Sequence, residues 1–67
     1  MTRNDEILII TQEECAEVIQ AISKTIRFGL DVEWNNETNR DHLEEEVGDL
    51  VAMINLMIQA EIISEDN

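Results

Sequence analysis

Thr11-Gln12-Glu13-Glu14-Cys15-Ala16-Glu17-Val18-Ile19-Gln20-Ala21-Ile22-Ser23-Lys24 is the stretch on which the fold turns. Its apolar residues recur at helical spacing, and the pattern extends in both directions. Leu8, Cys15, Ile19, Ile22 and Ile26 form one stripe, and Ile7, Ile10, Ala21 and Phe28 form a second. The spacing predicts a helix from about Asn4 or Asp5, both good N-caps, to Phe28, with Gly29 just past its end. Thr11 and Glu14 also fit a capping box, which allows a later start. The apolar pattern upstream, through Ile7, Leu8 and Ile10, favours one long helix.

A second periodic segment runs from about Asn39 to Ile62 or Ile63, capped by Thr38 or Asn39. Asp41, Glu44 and Glu45 suit its positive N-terminal end. Leu30 to Glu37 reads as a loop, and Ser64 to Asn67 as a polar tail. A connection this short makes the helices antiparallel neighbours. The expected fold is therefore all-α, an antiparallel hairpin forming one domain over residues 1–67. Leu43, Val47, Leu50, Ile54 and Met57 form one apolar stripe of the second helix, with Met53, Leu56 and Ala60 beside it. A two-helix hairpin buries about one stripe per helix, so a homo-oligomer, a dimer or tetramer built on a four-helix bundle, is expected to cover the rest.

Composition narrows the function. The chain has 67 residues, no Pro, two Gly and one Cys. A core this small usually needs disulfides, a metal or a partner copy, and a single cysteine excludes the first. Sixteen acidic residues against four basic ones give a net charge of −12. That excess disfavours nucleic acid and anionic membranes as partners. No signal peptide or membrane-spanning stretch is expected, and a cytoplasmic location is the default.

Some of the acids sit where a solvated face does not explain them. Glu14, Glu17 and Lys24 share the stripe of Ile7, Ile10, Ala21 and Phe28. Glu46 and Asp49 share a stripe with His42, Met53, Leu56 and Ala60. On each helix the two acids are one turn apart and point the same way. Four inward carboxylates repel one another and lose hydration, and a divalent cation relieves both costs. Oxygen ligands suit Mg²⁺, with Mn²⁺ or Ca²⁺ as alternatives, rather than Zn²⁺. A di-iron bundle normally uses Glu-x-x-His, and the only histidine, His42, precedes the carboxylates. An alternative reading leaves these acids solvated on two acidic helices.

Glu13-Glu14-Cys15-Ala16-Glu17 followed by Glu45-Glu46-Val47-Gly48-Asp49 resembles the EExxE…ExxD signature of the MazG-like, all-α NTP pyrophosphohydrolases. Val18 to Lys24 and Gly48 to Asn55 are similar to the rest of that family's two catalytic helices. The resemblance covers nearly the whole chain. It implies Mg²⁺-dependent hydrolysis of an NTP or dNTP to a nucleoside monophosphate and pyrophosphate, with a role in cleaning the nucleotide pool. It implies Glu14, Glu17, Glu46 and Asp49 as metal ligands, with Glu13 binding a further ion or orienting water. Many members are longer, so this short form is expected to complete its pocket with a neighbouring subunit.

Lys24 and Arg27 lie just beyond Glu17 and are candidates to hold phosphate oxygens, against ordinary salt bridges. Asn55 is a candidate ribose or base contact, against a hydrogen bond across the bundle. Trp34 either stacks on a base or plugs the hairpin end. His42 is read as a surface residue and Cys15 as core. No Gly-rich phosphate loop, nucleophilic triad or Cys/His cluster is present. The rival functions are a non-catalytic regulatory module that binds a nucleotide or metal, and a plain helical interaction protein.

Overall fold

The computed structural model describes residues 1–66, so the last residue of the polar tail, Asn67, lies outside the described residues. The chain forms α1 (Arg3–Phe28), β1 (Glu33–Trp34), β2 (Glu37–Thr38) and α2 (Asn39–Gln59), with the two helices packed against each other. The α1 segment has 26 residues, about 39 Å at 1.5 Å per residue, which matches the long axis of 39 Å.

Both helices open with the same device. Thr2 Oγ1 accepts the Asp5 backbone N–H at 3.1 Å, and the Asp5 carboxylate accepts the Thr2 N–H at 3.2 Å. Thr38 and Asp41 repeat this capping box at 3.0 and 3.1 Å. The first cap is thus Thr2, not Asn4 or Asp5, and Asp5 is the acid of the box. Thr11 does not start a helix. It is buried in the middle of α1, where its hydroxyl donates to the Ile7 carbonyl at 2.7 Å.

The second helix ends earlier than its apolar run suggests. Glu61 takes φ +60°, and the Glu61 and Ile62 N–H groups turn back to the Ile58 and Met57 carbonyls. This is a Schellman stop, normally made by Gly. Without a glycine there, the sequence gives no sign of it.

The connection is tighter than a plain loop. Gly29, at φ +100°, ends α1 in backbone territory that a Cβ disfavours. Asn35 and Asn36, at φ 52° and 68°, form the two-residue primed turn of a small antiparallel hairpin. Trp34 packs edge-to-face on Phe28, with centroids 6.0 Å apart. Asn39, buried at the start of α2, donates from Nδ2 to the Gly29 carbonyl at 2.8 Å. The Asn39 and Arg40 N–H groups reach the Val32 and Leu30 carbonyls, and Arg40 pairs with Asp31 at 3.2 Å.

The seam between the helices uses Ile7, Thr11, Glu14, Val18, Ala21 and Thr25 of α1. It falls between the two stripes read from the sequence. Its threonines bond their own helix, Thr25 donating to the Ala21 carbonyl at 2.9 Å. Ile10 and Phe28 are exposed rather than facing the seam. Only Ile7 and Ala21 are buried apolar residues among the described residues. The other stripe lies open, with Ile19 and Ile26 exposed by 67% and 78%. Cys15, on that stripe, is exposed and not core. One partner helix cannot cover both stripes.

Replacing Asn39 by Ala leaves the Gly29 carbonyl without its donor. The expected loss is about 1–3 kcal/mol, read as a lower denaturant midpoint at unchanged slope. An unchanged midpoint would show that this latch contributes nothing.

Candidate metal centre

Glu14 and Glu17 stand one turn apart on α1, and Glu46 faces them from α2. One carboxylate oxygen from each lies within 4.8 Å of the other two. Glu46 is buried, Glu14 half-buried and Glu17 exposed, so the cluster opens outward at Glu17. When ionised, carboxylates offer one another no donor. Oε2 of Glu14 and Oε2 of Glu46, both screened from solvent, accordingly have no hydrogen-bond partner. Such oxygens are costly unless something positive meets them.

The electrostatics tell the same story. Burial pushes the Glu14 carboxyl above its ordinary range, and the charges of Glu17, Asp49 and Glu13 add to this. Glu46 is also raised, first by hydrogen-bonding proximity to Glu17, then by burial and by the Glu17 and Asp49 charges. His42 acts against this rise, its Nε2 lying 3.1 Å from Glu46 Oε1. The donor set fits a hard divalent cation: oxygens only, from two helices, with two of them buried and unpartnered.

Among the described residues, the sequence-derived set divides. Glu14, Glu17 and Glu46 come together. Asp49 is exposed and outside the close cluster, although its charge reaches Glu14 and Glu46. Glu13 is exposed and acts on Glu14 through its charge. Asn55 is exposed on α2 and lines neither of the hollows beside the cluster.

Those two hollows continue up the seam from the acids. One, of about 290 Å³, is lined by Gln20, Ala21, Ser23, Lys24, Arg27 and His42. The next, of about 150 Å³, is lined by Lys24, Trp34, Asn35, Glu37, Thr38, Asn39 and His42. Lys24 is half-buried between them, and Arg27 lies 5.1 Å from the Phe28 ring centroid. A larger dish of about 880 Å³ at residues 58–66 holds none of these groups and is remote from the chemistry. Sequence reasoning undervalued His42. Its four-residue spacing from Glu46 was the available signal. The cavity-lining role of Glu37 left no comparable signal.

The MazG nucleotide pyrophosphohydrolase domain family matches residues 3–66. The chain belongs to that family, which makes nucleotide pyrophosphate hydrolysis the activity its domain suggests. No curated protein and no solved structure gives a significant match.

The raised carboxyls fix the sign of a pH effect. A group whose folded pKa lies above its unfolded value stabilises the fold below the unfolded value, and this is lost as pH rises through the folded one. Glu14 and Glu46 behave this way. Asp41, lowered chiefly by the Thr38 backbone N–H, acts oppositely and only at more acidic pH. The metal-free protein should therefore melt higher in mildly acidic than in neutral buffer, and Glu46→Gln should flatten that difference. A wild-type profile with no such rise, or one that Glu46→Gln leaves unchanged, would contradict the assignment.

Proposed function

We propose that the chain hydrolyses a nucleoside triphosphate, NTP or dNTP, to the monophosphate and pyrophosphate with Mg²⁺, as one subunit of a homo-oligomer. The observation that carries this is the interhelical carboxylate cluster, with two buried unpartnered oxygens, beside a hollow walled by Lys24 and Arg27. Glu14, Glu17 and Glu46 are the ligands, and Asp49 completes the set from the solvent side. Mn²⁺ is the nearest substitute.

Bound there, Mg²⁺ supplies neutralisation of phosphate charge and a lowered pKa for coordinated water. The protein's part is positioning and electrostatics. His42 fixes the Glu46 carboxylate through its 3.1 Å contact. Lys24 and Arg27 hold phosphate oxygens in the hollow next to it, Arg27 supplying the forked geometry suited to phosphate. Glu13, at the exposed edge, orients water or holds a further ion. Asn55 contacts the nucleotide only in an assembly that brings α2's outer face to a site.

The open stripe of Leu8, Ile19, Ile22 and Ile26 is the surface on which copies associate into a four-helix bundle. Dimer and tetramer both satisfy it. No helix among the described residues is long and apolar enough to cross a membrane. A cytoplasmic setting, rich in nucleotides and Mg²⁺, and a role in pool cleaning belong to the same reading.

Incubation with NTPs and dNTPs should give monophosphate and pyrophosphate, resolved by chromatography, only when Mg²⁺ is present. Release of orthophosphate in place of pyrophosphate would reject cleavage between the α and β phosphates, and no turnover of any nucleotide would favour a regulatory nucleotide- or metal-binding module. Glu17→Gln should lower kcat by about 100-fold or more, the scale of losing one preorganised electrostatic group. Its oligomeric state, by light scattering, should stay that of the wild type, and full activity would remove Glu17 from the ligand set.

A further inference from the structure

The small β-hairpin places two chemically distinct groups side by side. Trp34 pairs directly with Glu37 across β1 and β2. Residues so paired share one face of the ribbon, with Cβ atoms about 5 Å apart. The primed turn at Asn35 and Asn36 holds that register. Trp34, Asn35 and Glu37 wall the 150 Å³ cavity, together with Lys24 and His42. A complete small-molecule site occupies at least about 300 Å³, so this cavity suits one planar ring system. It shares Lys24 and His42 with the neighbouring hollow, and His42 in turn touches Glu46. From Glu17 to Lys24 the helix rises about 10 Å, comparable with the phosphate-to-base span of a nucleotide.

We infer that the hairpin is the base-reading element of the site and that Glu37 makes it prefer guanine nucleotides, an inference that rests on the hydrolase reading above. Trp34 is 49% exposed, which leaves ring surface on which a base can stack. Stacking alone accepts any base. Glu37 adds the selection. It makes no ion pair among the described residues, and a carboxylate only accepts hydrogen bonds. Guanine presents two adjacent donors, N1–H and the exocyclic amino group, which one carboxylate takes as a bidentate pair. Adenine and cytosine place one donor beside an acceptor. Uracil and thymine set their single N–H between two carbonyls.

Trp34 is the only tryptophan, so indole fluorescence reports this position alone. The full chain, with Mg²⁺, is titrated with α,β-imido analogues of GTP and ATP, which resist cleavage between those phosphates. Calorimetry gives affinity, and fluorescence gives contact with Trp34. The GTP analogue should bind about tenfold tighter, the scale of one bidentate base contact, and should change the fluorescence. Glu37→Gln should bring the two affinities close together while both analogues still bind. Equal wild-type affinities, a preference that survives Glu37→Gln, or binding that leaves the fluorescence unchanged would overturn the base assignment and leave the hydrolase reading standing. Binding of neither analogue would reject both.

Discussion

The contact between α1 and α2 is occupied at its middle by carboxylates. Where an antiparallel hairpin would place Leu or Ile, it has Glu14 and Glu46, with Glu17 at the edge. Burial and the neighbouring acidic charges raise Glu14, hydrogen-bonding proximity to Glu17 and then burial raise Glu46, and one oxygen of each lacks any partner. A core built this way does little to hold itself closed. Ile7 and Ala21, the two buried apolar residues among the described residues, lie on either side of the acids along α1.

The remaining features follow from that weakness. Closure is assigned to the end of the hairpin distant from the chain termini. There Gly29, the primed turn and the Asn39 latch set the helix spacing through directed hydrogen bonds. Apolar surface is displaced outward, onto the stripe of Leu8, Ile19, Ile22 and Ile26, which lies open. The resulting division separates features in space: the seam holds the carboxylates, the outer stripe holds exposed apolar surface, and the hairpin fixes the geometry of the connection. With a net charge of −12, the proposed anionic substrate would need Lys24, Arg27 and the proposed cation to reverse the local sign.

Two helices, their antiparallel packing and the acidic pairs were legible because helical period and one-turn carboxylate spacing are local signals. The seam was misplaced by about one position, because Thr11 and Thr25 look polar in sequence. Their hydroxyls are in fact satisfied within α1. Helix ends were less legible. Thr2, not Asn4, caps α1, and Glu61 adopts a conformation normally given to Gly. The β-hairpin was hidden because Asn-Asn marks a turn without specifying strand pairing on either side. Among the candidate site residues, Glu14, Glu17 and Glu46 converge from sequence positions far apart. Asp49 lies outward because a one-turn step from Glu46 rotates it past the seam toward solvent.

On the proposed reading the seam is a cation site and not merely an acidic surface. Melting the metal-free protein with increasing Mg²⁺ at neutral pH tests it without reference to any substrate. Ligand at about 100 times its Kd adds about 2.7 kcal/mol to the folded state, so Tm should climb with concentration and level off only logarithmically. Glu46→Gln should remove most of that climb. A Tm indifferent to millimolar Mg²⁺, or an equal rise in Glu46→Gln, would show that the ion does not sit between the helices.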